Sequence, residues 1–325
     1  MFRVVFGVTS IGGRFGQCTD WYFRRWQRTP RTASDNSLVK KTPIIAAPAL
    51  IAVAVVWGAA FVLMKPAIEK QPIFDFLASR FTIATLVMIL IRPSVLKKIN
   101  RDMLKVGVPV GALLGLGYVT QTIALQETTA AITGFLTGLY VVLTPIFAWL
   151  AVKQKIARKV WFGVALATAG LALISINGVS IEVGQIWGVV CAILFAAHIV
   201  GLGAWSPGRD AYALTVTQLG TSAVVCWFGA LGDGYQAPPS GDVWFAVLFT
   251  AVLATAVAFF VQTWAQGIMD ASRVAIILTS EVVFAALISV LVGQEVLTPK
   301  TLVGGALMVV AMLVVEWPSR RKALI

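Results

Sequence analysis

The chain has 325 residues, of which 58% are apolar and only 12% charged, and its formal net charge is +12. A water-soluble domain carries about 25% charged residues, and the apolar residues here fall in long runs rather than alternating stripes, so lipid is the solvent for most side chains. The excess positive charge sits in short segments between those runs, as membrane topology demands, which argues against a nucleic-acid partner.

Residues 1–42 come first and differ from the rest. They are rich in arginine, contain Trp21, Tyr22, Phe23 and Trp26, and have no sustained apolar run. Three readings stand: a basic cytoplasmic tail touching anionic lipid, a stretch included by a misplaced start codon, or an organellar targeting segment.

Ten apolar segments follow, each near the roughly 20 residues a helix needs to cross a bilayer. They are 43–63, 72–92, 106–125, 129–151, 160–177, 185–204, 211–231, 243–266, 271–293 and 301–317. A basic tail, 318–325, closes the chain. With the N-terminus in the cytoplasm, the tails and the loops after even-numbered spans hold 22 of the 26 basic residues. That bias places both termini inside and predicts a multi-pass protein of the cytoplasmic (inner) membrane.

The chain also repeats itself. YVTQTIA around Tyr118 returns as FFVQTWA around Phe259, 141 positions later, and the same offset carries Gly163 to Gly304. An offset of 138 carries Trp57-Gly58-Ala59 to Phe195-Ala196-Ala197 and Arg80 to Gln218. With five spans in each half, the second half must be upside down relative to the first. The expected fold is therefore all-α and integral to the membrane: ten transmembrane helices as two inverted five-helix repeats, 43–177 and 185–317. Secondary transporters are built this way, with substrate held near the midplane between the halves. The cavity is expected between spans one, three, four, six, eight and nine.

Ionisable groups inside spans are the candidate functional residues. Glu281 falls close to the predicted midplane of span nine, as a proton-linked or cation-binding group or as a structural acid. Arg80, in span two, suits a substrate carboxylate or phosphate, or pairs with Glu281, or snorkels toward Asp75. Gln121 and Gln262 occupy matching places, as interhelical glue or as lining of the pathway. Tyr140 is the repeat partner of Glu281, and Gln218 of Arg80. Trp57 lines the cavity or packs. His198, the lone histidine, is a proton relay or a hydrogen-bonded structural group. Pro145 is a candidate bend in span four, since broken backbone is tolerated in lipid only where it is buried or lines a cavity. Gly107, Gly111 and Gly115, and Gly134 and Gly138, have the four-residue spacing of close helix contacts.

No phosphate-binding loop, H-E-x-x-H or G-x-S-x-G pattern occurs, and no cysteine or acid is spaced to help His198 hold a metal. The expectation is a non-enzyme with neither cofactor nor metal. The three cysteines are read as small hydrophobes.

The chain resembles the EamA-type members of the drug/metabolite transporter superfamily. The resemblance is carried by WGAAFVLMK, Arg80, TTAAITGFLTGLYVVLTPIFAWL and WFGVALATAGLALIS in the first half. In the second it is carried by AAHIVGLGAW, LTVTQL, VQTWAQ, SEVVFAALISVLVGQEVLT and LVGGALMVV. Family members often have Glu-Pro where this chain has Glu281-Val282, while the first half has Thr144-Pro145. The resemblance implies export or exchange of a small metabolite, such as an amino acid. Protons are the candidate coupling ion, and the assembly is a monomer or homodimer. The alternative is a non-transporting scaffold or sensor that keeps the transporter fold.

Overall fold

The computed structural model describes residues 45–316 apart from 129, 154, 176–182, 233, 294–295 and 297. The predicted tails 1–42 and 318–325 lie outside the described residues. Within them every regular element is helical, as lipid requires: each backbone N–H and C=O must find its partner inside its own segment.

Seven of the ten predicted segments form single helices. These are α1 (Ala46–Ile68), α2 (Ile73–Ile91), α3 (Arg101–Glu127), α6 (Arg158–Ser175), α7 (Val183–Trp205), α8 (Ala211–Ala230) and α13 (Pro299–Glu316). The other three are interrupted. The fourth segment divides into α4 (Ala130–Gly138) and α5 (Tyr140–Val152), and the ninth into α11 (Ala271–Leu278) and α12 (Glu281–Leu291). The eighth runs as α9 (Gly241–Ala251), a π-helical turn over Val252–Val257, and α10 (Ala258–Gln266). Among the described residues, seven helical stretches are long and apolar enough to cross a membrane, and Leu136–Ala151 and Leu302–Val315 are shorter apolar helices.

Polar caps start the helices where the chain leaves the apolar layer. Asn100 accepts a hydrogen bond from the Met103 N–H at 2.9 Å to open α3, and Asp210 accepts from the Ala213 N–H at 3.0 Å to open α8. Each satisfies one of the donors that a helix N-terminus leaves without an intrahelical partner. The outward faces stay apolar: Leu90 is 76% exposed and Phe228 80%. In water such a surface would drive aggregation; in lipid it is solvated.

Small residues set the helix pairings. Gly107 meets Thr217, Gly111 the backbone of Gln218, and Gly115 Ser222, so one stripe of α3 lies parallel against α8. Ser222 Oγ ties the two by donating to the Gly111 carbonyl at 2.9 Å. Gly58 of α1 faces the backbone of Phe284 and Ala285 in α12.

Two further pairs run antiparallel. Tyr212 at the start of α8 donates to the Met88 carbonyl near the end of α2, while Trp227 near the end of α8 donates to Thr82 in the middle of α2. Gly163 of α6 meets Ala311 and Val315 of α13, and Gly170 meets Gly304 and Met308.

Polar clamps hold both ends of the α2–α8 pair. At one end Lys98 and Arg92 pair with Asp210, and Arg209 pairs with Asp102. At the other, Lys70 pairs with Asp242, Gln71 donates to the Gln236 carbonyl, Asp75 accepts from the Gln236 N–H, and Ser79 bonds Tyr235. Among the clamp residues Gln71, Asp75 and Ser79 are buried.

Pro145 does not mark the break in the fourth segment. It lies inside α5, and the interruption falls at Leu139. There the backbone tightens to an i−3 bond, Leu139 N–H to Leu136 C=O at 3.2 Å, and restarts with Val142 and Leu143 both donating to the Leu139 carbonyl. The ninth segment does the same 141 residues later. Ser280 donates to Ile277, and Val283 and Phe284 both donate to the Ser280 carbonyl. In that second break Thr279 and Ser280 turn their hydroxyls back onto the Ala275 and Ile277 carbonyls, a competition with the backbone that bends helices. The repeat is therefore visible in hydrogen-bond pattern as well as in sequence, and the first residue of the resumed helix is Tyr140 in one case and Glu281 in the other.

Candidate functional site

The two breaks meet a central cavity. It holds about 540 Å³ of space between atoms, part of it open to the outside. Seven predicted residues line it: Trp57, Arg80, Gln121, Tyr140, His198, Gln262 and Glu281. They come from α1, α2, α3, α5, α7, α10 and α12, so the second span joins the six expected at the cavity. Gln218 is not in the lining. It sits behind His198, whose Nε2 donates to Gln218 Oε1 at 3.0 Å, and passes the chain on by donating from Nε2 to Thr263 Oγ1 at 2.8 Å. That bond fixes the His198 proton on Nε2 and orients the ring edge-on to Phe259.

Arg80 is only 2% exposed yet pairs with neither Glu281 nor Asp75. Its guanidinium is held by the π-helical turn: Nε donates to Thr255 Oγ1 at 2.7 Å and an amino group to the Ala254 carbonyl at 3.4 Å. The wide turn leaves the Ala254 carbonyl available to neighbours, and Trp57 Nε1 also donates to it, at 2.8 Å. π-Bulges of this kind are frequent at functional sites. The Arg80 plane lies over the Tyr118 ring, 4.6 Å from its centroid, and its Nη1 has Met64 Sδ as partner at 3.7 Å. A cation buried this deeply is stabilised by the ring face and by hydrogen bonds instead of by an acid.

Glu281 is 5% exposed and forms no ion pair among the described residues. The Tyr140 hydroxyl stands beside it. Gln262 donates to Gln266 Oε1 at 3.0 Å, and Gln266 donates onward to the Ile199 carbonyl at 2.7 Å, which leaves Gln262 Oε1 buried without a partner. Gln121 has a long bond, 3.5 Å, to Thr137.

Of the aromatic wall, sequence reasoning singled out Trp57 alone. Trp57, Tyr118, Phe195 and Phe259 all line the cavity. Tyr118 meets Phe195 edge-on at 5.4 Å and Phe259 at 6.0 Å, and Trp57 meets Phe259 at 5.4 Å. The signal was present: Tyr118 and Phe259 are partners at the 141-residue offset, Trp57 and Phe195 at 138. Thr255, the main anchor of Arg80, had no signal, since nothing in the sequence announces a π-helical turn. Among the described residues, no cluster of three His, Cys, Asp or Glu side chains is placed to hold a metal.

Comparison with known proteins agrees with this architecture. The model of the EamA-like transporter family matches the chain twice, over residues 44–176 and 182–317. An uncharacterized transporter of Archaeoglobus fulgidus is 34% identical over 268 residues, covering 82% of this chain and 84% of its own. The uncharacterized transporter YetK of Bacillus subtilis is 25% identical over 237 residues, covering 67% and 70%. A solved crystal structure superposes with a TM-score of 0.71 at 16% identity, over 83% of this chain and 96% of its own, which speaks to fold alone. A chain matched in both halves by one family model, and 34% identical to a named transporter over most of its length, is a multi-pass membrane protein that belongs to the EamA-like transporter family.

Proposed function

We propose that this protein is a ten-span secondary active transporter of the cytoplasmic membrane, with both termini inside, that exports or exchanges an amino acid or related metabolite by alternating access. Its two five-helix halves are inverted relative to one another. The antiparallel packing of α2 on α8 and of α6 on α13 supports the inversion, since each pair joins the same element of the two halves.

One observation carries the transport reading: Glu281, a buried acid without a cation partner, stands at a helix break on a cavity that both halves line. A lone buried carboxylate is costly unless something compensates it, and a proton or a substrate ammonium group does so in turn. Competition between the two for one site couples substrate movement to the proton gradient. Arg80 faces the same cavity with one Nη1 donor committed only to sulfur, and is the contact for a substrate carboxylate. The clamps at the two ends of the α2–α8 pair are the contacts that opening to either side exchanges.

The test is transport by purified protein in liposomes, against amino acids and related metabolites, with and without an imposed pH gradient. Gradient-stimulated flux is expected, and Glu281→Gln removes the stimulation. Flux in that variant with its pH dependence intact would sink the coupling role.

A further inference from the structure

At one end of the α2–α8 pair positive charge is left over. The outward face of α2 is apolar and exposed through Leu90 and Ile91, and it ends at Arg92. The lipid-facing surface of this helix therefore stops there, and the short 3-10 helix Pro93–Lys98 that follows lies at the depth of the lipid headgroups. Val95, fully buried, pins that turn to the bundle, while Leu96 beside it is exposed. The turn, the start of α3 and the adjoining clamp hold five cations, Arg92, Lys97, Lys98, Arg101 and Arg209, but only two acids, Asp102 and Asp210. Arg92 and Lys98 share Asp210, and Arg209 takes Asp102. The side chains of Lys97 and Arg101 are exposed and make no ion pair or hydrogen bond among the described residues.

Two cations without an anion, set among exposed leucines at the edge of the apolar layer, match a lipid better than a soluble anion. Leu96 directly precedes Lys97, and Leu104 is exposed one helical turn after Arg101, on the same side of α3. Apolar side chains there meet acyl chains while the long basic ones reach up to the phosphates, as on any helix that lies in the interface. The planar fork of Arg101 fits a phosphate with two parallel hydrogen bonds, and it stands at the N-terminal end of α3, where the helix favours negative charge. Arg92 and Lys98 both keep exposed side-chain area while paired. A phosphate beside them adds a second anion to two cations that share one carboxylate.

We propose that this corner binds the phosphate of an anionic phospholipid, with Lys97 and Arg101 as its principal contacts. The site lies apart from the cavity and does not depend on what the protein transports.

The experiment follows thermal unfolding of the full chain in dodecyl maltoside by tryptophan fluorescence, titrated with phosphatidylglycerol and, separately, with phosphatidylcholine. Phosphatidylglycerol is expected to raise the melting temperature at a concentration about tenfold lower. Lys97→Gln and Arg101→Gln should each raise the phosphatidylglycerol concentration required about fivefold, the effect of one cation at an anionic membrane surface, with the melting temperature in detergent alone unchanged. Lys97→Arg and Arg101→Lys keep the charge and should keep the affinity, which separates loss of the site from loss of the fold. Lys155→Gln removes an exposed cation elsewhere in the chain and should change nothing. Equal action of the two lipids overturns the proposal. So does an equal loss in Lys155→Gln, which means diffuse attraction to the membrane, and so does equal stabilisation by glycerol phosphate, which means a site for a soluble phosphate. Gradient-driven flux in liposomes is measured independently, so the transporter reading stands or falls apart from these results.

Discussion

Thr255→Val tests whether the π-helical turn is what keeps Arg80 in the cavity wall. The substitution keeps the side chain's shape and removes its one acceptor. Of the four Arg80 contacts, the bond from Nε to Thr255 Oγ1 is the short one at 2.7 Å; those to Tyr118 and Ala254 are 3.4 Å and that to Met64 sulfur 3.7 Å. A hydrogen bond to a charged group contributes about 1.5–3 kcal/mol, and a buried charged donor that loses its acceptor forfeits at least that much. With Arg80 2% exposed, water does not replace the lost partner, so Thr255→Val should destabilise by about 2 kcal/mol. Arg80→Met removes the donor, and in that background the Thr255 change should have little further effect. Denaturant unfolding of the wild type, both single variants and the double variant, in mixed micelles, gives the coupling energy directly. The expected value is about 1.5–3 kcal/mol. Additivity to within about 0.5 kcal/mol, the usual result for independent sites, would refute the anchoring role.

The same geometry makes other outcomes calculable. Tyr118→Phe keeps the ring under Arg80 and the edge-on contacts, and gives up only a 3.4 Å bond; a loss below about 1 kcal/mol is expected in the same assay. A Cβ on Gly58 would lie 2.6 Å from the Ala285 nitrogen and 2.9 Å from the Phe284 carbonyl carbon, so Gly58→Ala must separate α1 from α12. Overpacking of this kind typically costs about 1–3 kcal/mol, whereas Gly241→Ala, with open space around it, should be neutral or slightly stabilising; equal melting shifts would contradict the packing. Asp210 responds to pH. Partial burial works to raise its pKa, but Lys98, the Ala213 N–H and the Arg92 charge outweigh it and hold the carboxyl below the usual range. Because the folded pKa is the lower one, the clamp's contribution is present above the ordinary aspartate value of about 3.9 and is lost as pH falls through the folded value. The melting difference between wild type and Asp210→Asn should be fully developed at neutral pH and vanish in strong acid; a difference that grows toward acid would contradict the pairing.

Much of the site was legible in sequence because the repeat samples each place twice. The pairs Gln121 and Gln262, Tyr140 and Glu281, and Trp57 and Phe195 all reach the cavity, and offsets of 141 and 138 residues expose them without any structure. Tyr118 and Phe259 carried the same signal and escaped selection because aromatic residues are common in apolar runs. Gln218 departs from this pattern. Its repeat partner Arg80 faces the cavity, while Gln218 stands behind His198, because equivalent positions need not keep equivalent neighbours. Pro145 shows another limit: proline removes a donor, yet α5 absorbs it and the break falls at Leu139. Thr279 and Ser280 produce the matching break with no proline at all.

By itself the sequence determined the class of this protein, the apolar segments that form its helices, and the presence of two related halves. Hydropathy is a property of a segment and its solvent, so no partner helix is needed to read it. Tertiary structure alone decided that Arg80 is held by a π-helical turn and a tyrosine face rather than by an acid. It alone left Glu281 without a cation and gathered four rings around one cavity. Those outcomes depend on which faces of distant helices meet, and glycine stripes and interhelical hydrogen bonds set that only once the chain has packed.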